Sequence, residues 1–446
     1  MRYFSRGVVC AAGLCVMLCR GASAQEAVAQ EEPPATTVEK SAVPIDRAYQ
    51  DAERRTVIRD YLRELVKEAP PFIRDTKLSL VLRSFYLYRD KFDDSLSEAW
   101  ALGGWLDYKS GYLWNRFGIG AAVYTSQPLH APGDRDGTLL LEPGQEGYTV
   151  LGQLYGEFRV TDGILIDLYR KIYNTPYINQ NDNRMTPNTF EGYSITGRHG
   201  GKDDKPEITW GAGYITKIKE RNSDEFVWMS QDAGATVKRG VFVAGGRYKA
   251  GDFSAGLVDY YSEDILNIVF AEAKYTREIR EGLGLLFAGQ FTHQTSTGDN
   301  LLTGSSFWAS QFGFKGEVSF GGALFMVGYT GTADGTDLQN PWSSYPGYTS
   351  VQVEDFNHTG EQAVILKGTY DFSNVGLEGI TFFTLWVHGF ARDDGPNEDE
   401  VDLDLQWRPS GKLKGLSIRV RYAYVWQRDG SDDVLQDFRV IFNWEF

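Results

Sequence analysis

The sequence predicts an all-β protein: a transmembrane antiparallel β-barrel of about eighteen strands, preceded by a signal peptide and a short periplasmic N-terminal helical extension. Three observations point there. From Thr76 onward the chain runs in segments of roughly ten alternating apolar and polar residues, broken by turn residues, which is the pattern of barrel strands. Aromatic residues make up 14% of the chain, yet no stretch beyond the first two dozen residues offers the ~18 consecutive apolar residues of a spanning helix. All three cysteines fall at the N-terminus, so the remainder has neither thiol nor disulfide to stabilise it.

Residues 1–24 read as a secretory signal. Arg2 and Arg6 precede an apolar run over 7–18, and Ala22-Ser23-Ala24 supplies a small-residue cleavage pattern. Cys10, Cys15 and Cys19 lie inside it, and the bulky Leu18 argues against lipid attachment at Cys19. Removing the signal takes away Arg2, Arg6 and Arg20 and no acid, so the net charge falls from −15 to −18. That acidic balance argues against nucleic acid as a partner.

The second segment, 25–75, divides in two. "QEAVAQEEPPATTVEKSAVP" has too little apolar surface to fold and is expected to be a disordered tether. In "DRAYQDAERRTVIRDYLRELVKEAPP" the residues Val57, Ile58, Tyr61, Leu62, Leu65 and Val66 share one helical face. Asp46 can cap this helix and Pro70-Pro71 can stop it. An amphipathic helix of this length packs on itself or on the protein's rim, with a coiled-coil partner or a plug as alternatives.

The barrel domain, 76–446, is expected to hold strands at 77–89, 97–108, 115–126, 148–160, 164–173, 189–199, 207–220, 233–249, 252–262, 266–277, 282–295, 305–318, 322–333, 361–371, 379–391, 400–409, 414–427 and 434–446. Short connections such as "VTDG" and "SFGG" alternate with long ones at 127–147, 174–188 and 334–360, as periplasmic turns alternate with external loops. An even count puts both termini on one side, which export would make the periplasmic side of a Gram-negative outer membrane.

Face assignment follows from charge. In 414–427, Leu416, Ile418, Val420, Tyr422, Tyr424 and Trp426 alternate with Ser417, Arg419, Arg421 and Ala423. Turning Arg419 and Arg421 toward lipid would cost about 2–4 kcal/mol each at the membrane centre, so they should face the lumen. Strand 400–409 repeats the pattern, with Asp402, Asp404, Gln406 and Arg408 inward. A soluble sandwich could show the same alternation, but eighteen strands resist forming one open sheet, whereas a closed barrel leaves no edge. The closing strand puts Phe438, Val440, Phe442, Trp444 and Phe446 toward lipid and Arg439 and Asn443 inward, and the terminal Phe446 resembles the C-terminal aromatic signal read by the barrel-assembly machinery.

At "SFYLYRDKF", "SEAWALGGWLDYKSGYL" and above all "DNRMTPNTFEG", the sequence resembles the OprD-type family of substrate-specific outer-membrane porins. The resemblance implies a loop that folds into the barrel, closed by Asp182, Arg184, Pro187, Asn188, Thr189, Phe190 and Gly192. It also implies passive passage of small anionic or zwitterionic solutes, carboxylates or amino acids, along a ladder of cations, in a monomer or homotrimer. Thr186, Asn188 and the glycine-free "LIDLYRKIY" depart from the family pattern, and these departures bear on the solute rather than the fold.

Alternation nominates Arg159, Lys274, Lys315, Arg419, Arg421 and Arg439 as lumenal cations, beside the loop residues Asp182, Arg184 and Asn188. A cation ladder works by replacing part of an anion's lost hydration while keeping each site weak enough to release it. Lumenal acids at Glu157, Glu272, Glu317, Asp402 and Asp404 would neutralise some of these cations or form an opposing wall. The bland reading of each pair is a strut in the barrel wall; for Arg184 it is a tether that pins the loop.

Catalysis finds no support. His130, His199, His293, His358 and His388 lack metal-ligand spacing, and no Gly-x-Ser-x-Gly elbow occurs. No cofactor is expected. "EDEVDLDL" and "DGSDD" match no calcium loop and read as solvated loops or as anchors for ions bridging lipopolysaccharide. The alternative readings are a sugar porin using loop aromatics in "PWSSYPGYTS", and an adhesive or structural barrel with no channel.

Overall fold

A computed structural model describes residues 66–446, apart from 202–204, 394 and 429–432. The expected signal and tether, and nearly all of the expected amphipathic helix, lie outside these residues. Where Pro70-Pro71 was expected only to end a helix, Pro71 opens a single turn, α1 (Pro71–Arg74), because its fixed φ suits the first helical position and its missing N–H goes unused there.

Strands follow in the order the alternation sets. They are β1 (Lys77–Asp90), β2 (Leu96–Lys109), β3 (Phe117–His130), β4 (Tyr148–Thr161), β5 (Ile164–Lys171), β6 (Thr189–Gly200), β7 (Glu207–Lys219), β8 (Val227–Trp228), β9 (Val241–Ala250) and β10 (Phe253–Ser262). The series continues with β11 (Leu266–Arg280), β12 (Leu283–Ser296), β13 (Trp308–Phe320), β14 (Ala323–Thr332), β15 (Gln362–Asp371), β16 (Ile380–Phe390), β17 (Glu398–Trp407), β18 (Leu416–Gln427) and β19 (Val434–Glu445). β8 is a two-residue strand that pairs only with the end of β7, so eighteen strands make the wall.

Each wall strand pairs antiparallel with its sequence neighbour, and β1 pairs with β19 from Val81↔Glu445 to Asp90↔Gln436. That last ladder closes the barrel and leaves no sheet edge, as a membrane without water to hydrogen-bond demands. Alternation sorts the faces. In β13, Trp308, Phe312, Phe314, Val318 and Phe320 are exposed while Ala309, Gln311 and Ser319 are buried. In β17, Leu403, Leu405 and Trp407 point out, and Glu400, Asp402, Asp404 and Gln406 are buried inside.

Turn chemistry sets the spacing at one end. Gly321 and Gly322, with φ of 55° and 84°, make the two-residue β13–β14 turn in the left-handed conformation that a tight hairpin requires. In β2, Gly104 stands at φ 128°, where a Cβ would lie 1.9 Å from the Val81 carbonyl oxygen, so only glycine lets β1 and β2 meet there. The long connections gather at the other end. One expected strand is shorter than its pattern suggested: the wall resumes at Val241, not at 233, because Met229–Asp232 forms a helical turn, α2, and buries Met229. Ser230 then fastens the segment, donating to the Val237 carbonyl at 2.5 Å and accepting from the Arg239 N–H at 2.7 Å.

Candidate functional site: two loops that cross the lumen

The connection 172–188, here L3, leaves β5 and crosses the barrel. Tyr177 is fully buried against Tyr260 of β10 and Phe270 of β11, with ring centroids 5.9 and 6.3 Å apart, and its hydroxyl donates to Thr292 of β12 at 3.2 Å. Five residues later Asp182 accepts two bonds from Arg83 of β1, at 2.6 and 3.1 Å. Counted round the ring without β8, β11 stands nine strands from β1 in either direction. L3 therefore spans the lumen.

A second loop, L7 (333–361), meets it. Asn179 N–H donates to Ser343 Oγ at 2.8 Å, and Tyr345 packs on Tyr177 at 6.2 Å between ring centroids. Tyr348 donates to Glu272 of β11 at 2.9 Å. On the far wall, Glu400 of β17 accepts the backbone N–H groups of Val353 and Glu354 at 2.9 and 2.8 Å, and Asp402 accepts that of Gln352 at 3.2 Å. The sequence reading treated this loop as external; it folds inward because carboxylates of β17 satisfy its amides and Trp342, 1% exposed, anchors its start.

Cations concentrate where the loops reach β1 and β19. Arg83 also donates to the Arg184 carbonyl at 2.5 Å and to Asn443 at 2.7 Å. Arg89 and Arg439 share Asp437, at 2.7 and 2.5 Å, and Arg439 donates on to the Gln352 carbonyl of L7 at 3.2 Å. Among the described residues Arg184 bonds no carboxylate; it donates to the Thr138 carbonyl at 2.8 Å and to the carbonyl of Asn183 at 2.9 Å. Arg221, from the loop after β7, donates to the Asn183 side chain at 2.5 Å. Burial, and then the charges of Arg439, Arg221 and Arg89, hold Arg184 well below the usual guanidinium value. Burial likewise lowers Arg221 to about 10, with Arg439 and Arg89 adding to it. Five arginines thus converge here; their ion pairs are with Asp182 and Asp437, and the carboxylates of Glu220, Glu354, Asp355 and Asp402 also lie close enough to act on Arg221, Arg89 and Arg439.

The nominated residues fall into separate places. Asp182 and Arg184 sit at the L3 apex, and Arg439 beside them. Asn188 closes the loop on itself, its N–H donating to the Gln180 carbonyl at 2.7 Å. Arg419 and Arg421 both hold Asp404, at 2.7 and 2.8 Å, on the wall of β17 and β18. Lys274 and Lys315 flank Ala288 in one row of β11–β13, and each pairs with an acid two residues away, Glu272 at 2.9 Å and Glu317 at 2.8 Å. Arg159 stands apart, near the short-turn end, its guanidinium 3.8 Å from the Tyr112 ring centre and 2.8 Å from Asn115. Arg83, Arg89 and Arg221 were not nominated; alternation against the outward Tyr86 and Tyr88 could have found the first two, whereas Arg221 lies on a loop and carries no period.

This architecture has known counterparts. A model described as outer membrane porin, OprD family, matches residues 70–446. The chain belongs to that family. Among curated relatives of this OprD-family porin, Porin D of Pseudomonas aeruginosa is 26% identical over 407 residues, covering 82% of this chain and 88% of that one. Porin-like protein GalP of Pseudomonas putida is 24% identical over 404 residues, covering 84% and 92%. Of solved structures, Pseudomonas aeruginosa OccK9 (OpdG) superposes with TM-score 0.76 at 24% identity, covering 84% of this chain and all of the other, 100%. Pseudomonas aeruginosa OpdK with vanillate gives 0.73 at 20% identity, covering 84% and 99%. Membership of this family makes the barrel an outer-membrane porin, and the solved structures share its fold.

Proposed function

We propose that this porin passes small carboxylates or zwitterionic amino acids by passive diffusion through the opening left between L3, L7 and the wall of β17 to β1. The observation that carries this reading is the convergence of Arg83, Arg89, Arg184, Arg221 and Arg439 at the crossing, where Arg184 and Arg221 hydrogen-bond neutral oxygens rather than carboxylates. Two loops in the lumen remove bulk water, which strengthens each remaining charge, and the clustered guanidinium groups compensate an anion for hydration it sheds. Partners among the wall groups keep any one cation from holding the solute for long.

The mouth of the barrel supports the same chemistry. A 380 Å³ pocket lies between the β1–β2 turn, L7 and the start of β19, lined by Arg89, Lys91, Asp93 and Glu354 with Phe92, Val353 and Leu435. It offers both signs of charge to a small molecule that carries both. That a structural relative is recorded with vanillate, a carboxylate, agrees with this assignment. A sugar track is less well supported, because Trp342 and Tyr345 are only 1% and 5% exposed and present no free ring face. On this reading both termini are periplasmic, the long loops face outward, and Phe446 addresses the assembly machinery.

The deciding measurement is reversal potential in a planar bilayer under a salt gradient. Arg89→Gln with Arg221→Gln should lower the anion-to-cation permeability ratio by severalfold, and benzoate or arginine should block the wild-type current. Block by maltodextrin with an unchanged ratio in the double variant would reject the proposal.

A further inference from the structure

The register of β5, β6 and β7 places Arg170, Glu191 and Lys217 in one row across three strands. The next row, Lys171, Phe190 and Ile218, is buried and faces in, so the charged row faces out. Leu154 of β4 pairs with Arg170 and is exposed on the same outer face, as are Leu168 and Tyr193 one step down the strands. Charge on an outward face is costly within the apolar band and tolerated at its boundary. This row is at the boundary: β5 ends at Lys171, β6 begins at Thr189 and β7 ends at Lys219, all at the long-loop end.

Two cations and one acid leave a positive excess, and the acid is not evenly shared. Arg170 Nε stands 3.3 Å from Glu191, whereas Lys217 Nζ stands 4.0 Å away with its side chain 30% exposed. Flat apolar rings border both cations. The guanidinium of Arg170 lies 3.9 Å from the Phe226 ring centre and 4.9 Å from that of Tyr169. β8 explains its own existence here: pairing Trp228 with Lys217 sets the indole on the outer side, 5.9 Å from the ammonium.

Guanidinium and ammonium edges recognise phosphate oxygens, and the rings beside them suit the C–H face of a sugar. We infer that Arg170 and Lys217 form a binding site for the phosphate of a phosphorylated glycolipid in the outer leaflet. The inference rests on the outward placement of the long loops proposed above. Glu191 moderates the site by competing for the same cations, and Phe226 and Trp228 hold the headgroup against the wall.

The test is native mass spectrometry of the full chain in detergent. Three probes are compared: a diphosphorylated, acylated glucosamine disaccharide, its dephosphorylated counterpart and inorganic phosphate. The wild type should retain the phosphorylated lipid in preference to the other two. Arg170→Gln with Lys217→Gln should weaken that retention by about ten-fold, the loss of two charge-assisted contacts. Glu191→Gln should strengthen it, and Arg277→Gln, which removes an exposed cation at the short-turn end, should leave it unchanged. Heat-shifted gel mobility checks folding; should the double variant fail it, Lys217→Gln alone carries the test, since its ion pair is the longer. Equal retention of the dephosphorylated lipid, equal binding of inorganic phosphate, indifference to the variants, or a change in subunit number on mutation would each overturn the inference. If the channel reading alone is wrong, ion selectivity fails while lipid retention stands, so the two failures are distinguishable.

Discussion

Arg184 meets carbonyl oxygens where a buried cation more often meets a carboxylate. Its planar fork ties L3 to the Thr138 segment, and a lysine could not reproduce that geometry. Arg184→Gln should lower the midpoint of the heat-induced gel-mobility shift by an amount reflecting about 1–3 kcal/mol of unsatisfied buried carbonyls, and Arg184→Lys should not restore it. Glu354 makes a pH prediction. Burial, then the neighbouring Glu398 and Asp355, push its carboxyl from 4.5 up to about 7, against the opposing pull of Arg89 and Arg392. A carboxyl whose pKa is raised on folding binds its proton more tightly in the docked loop, so docking is favoured at low pH and weakens as pH rises from about 4.5 to about 7. Limited proteolysis of L7 should therefore quicken across that interval, and Glu354→Gln should flatten the response. A flat wild-type profile would contradict the assignment.

L3 and L7 act as elements because each is held at both ends. Asp182→Asn removes the charge that Arg83 meets while leaving Arg83 with 7% side-chain exposure, so the apex of L3 should detach from β1. Single-channel conductance should rise and become noisier, with the barrel still resistant to detergent. Shortening L7 across 343–354 should raise it further, since that stretch reaches from Asn179 to Glu400. An unchanged conductance in both would mean that the solute path avoids the crossing. The wall strands were legible because their period is two, and a single misplaced arginine decides the register. Loops have no period. "DNRMTPNTFEG" was recognisable as a closing segment, but the inward course of L7 depends on amides meeting Glu400 and Asp402, some fifty residues further along the chain.

Across the whole molecule, one ladder turns a sheet into a tube. β19 joins β1 to β18, so a chain lacking 434–446 should lose both the heat-shifted band and all conductance rather than a fraction of either, because the open wall left without β19 exposes two unpaired edges, on β1 and β18. Wall and lumen also divide what could be read in advance. Lumenal placement of Arg419, Arg421, Arg439, Lys274 and Lys315 follows from alternation alone, and the strand pattern closes as expected except at 233–240, where burial of Met229 overrode it. Which cations share an acid was not legible. The sequence by itself determined the barrel, its strand order and the inward direction of its mid-wall charges, since period-two patterning is local and the apolar band of the membrane tolerates only one answer. Only the tertiary structure decided that L3 and L7 meet across the lumen and that Arg83, Arg89, Arg184, Arg221 and Arg439 converge there, because those contacts join residues up to 360 positions apart and no local pattern encodes them.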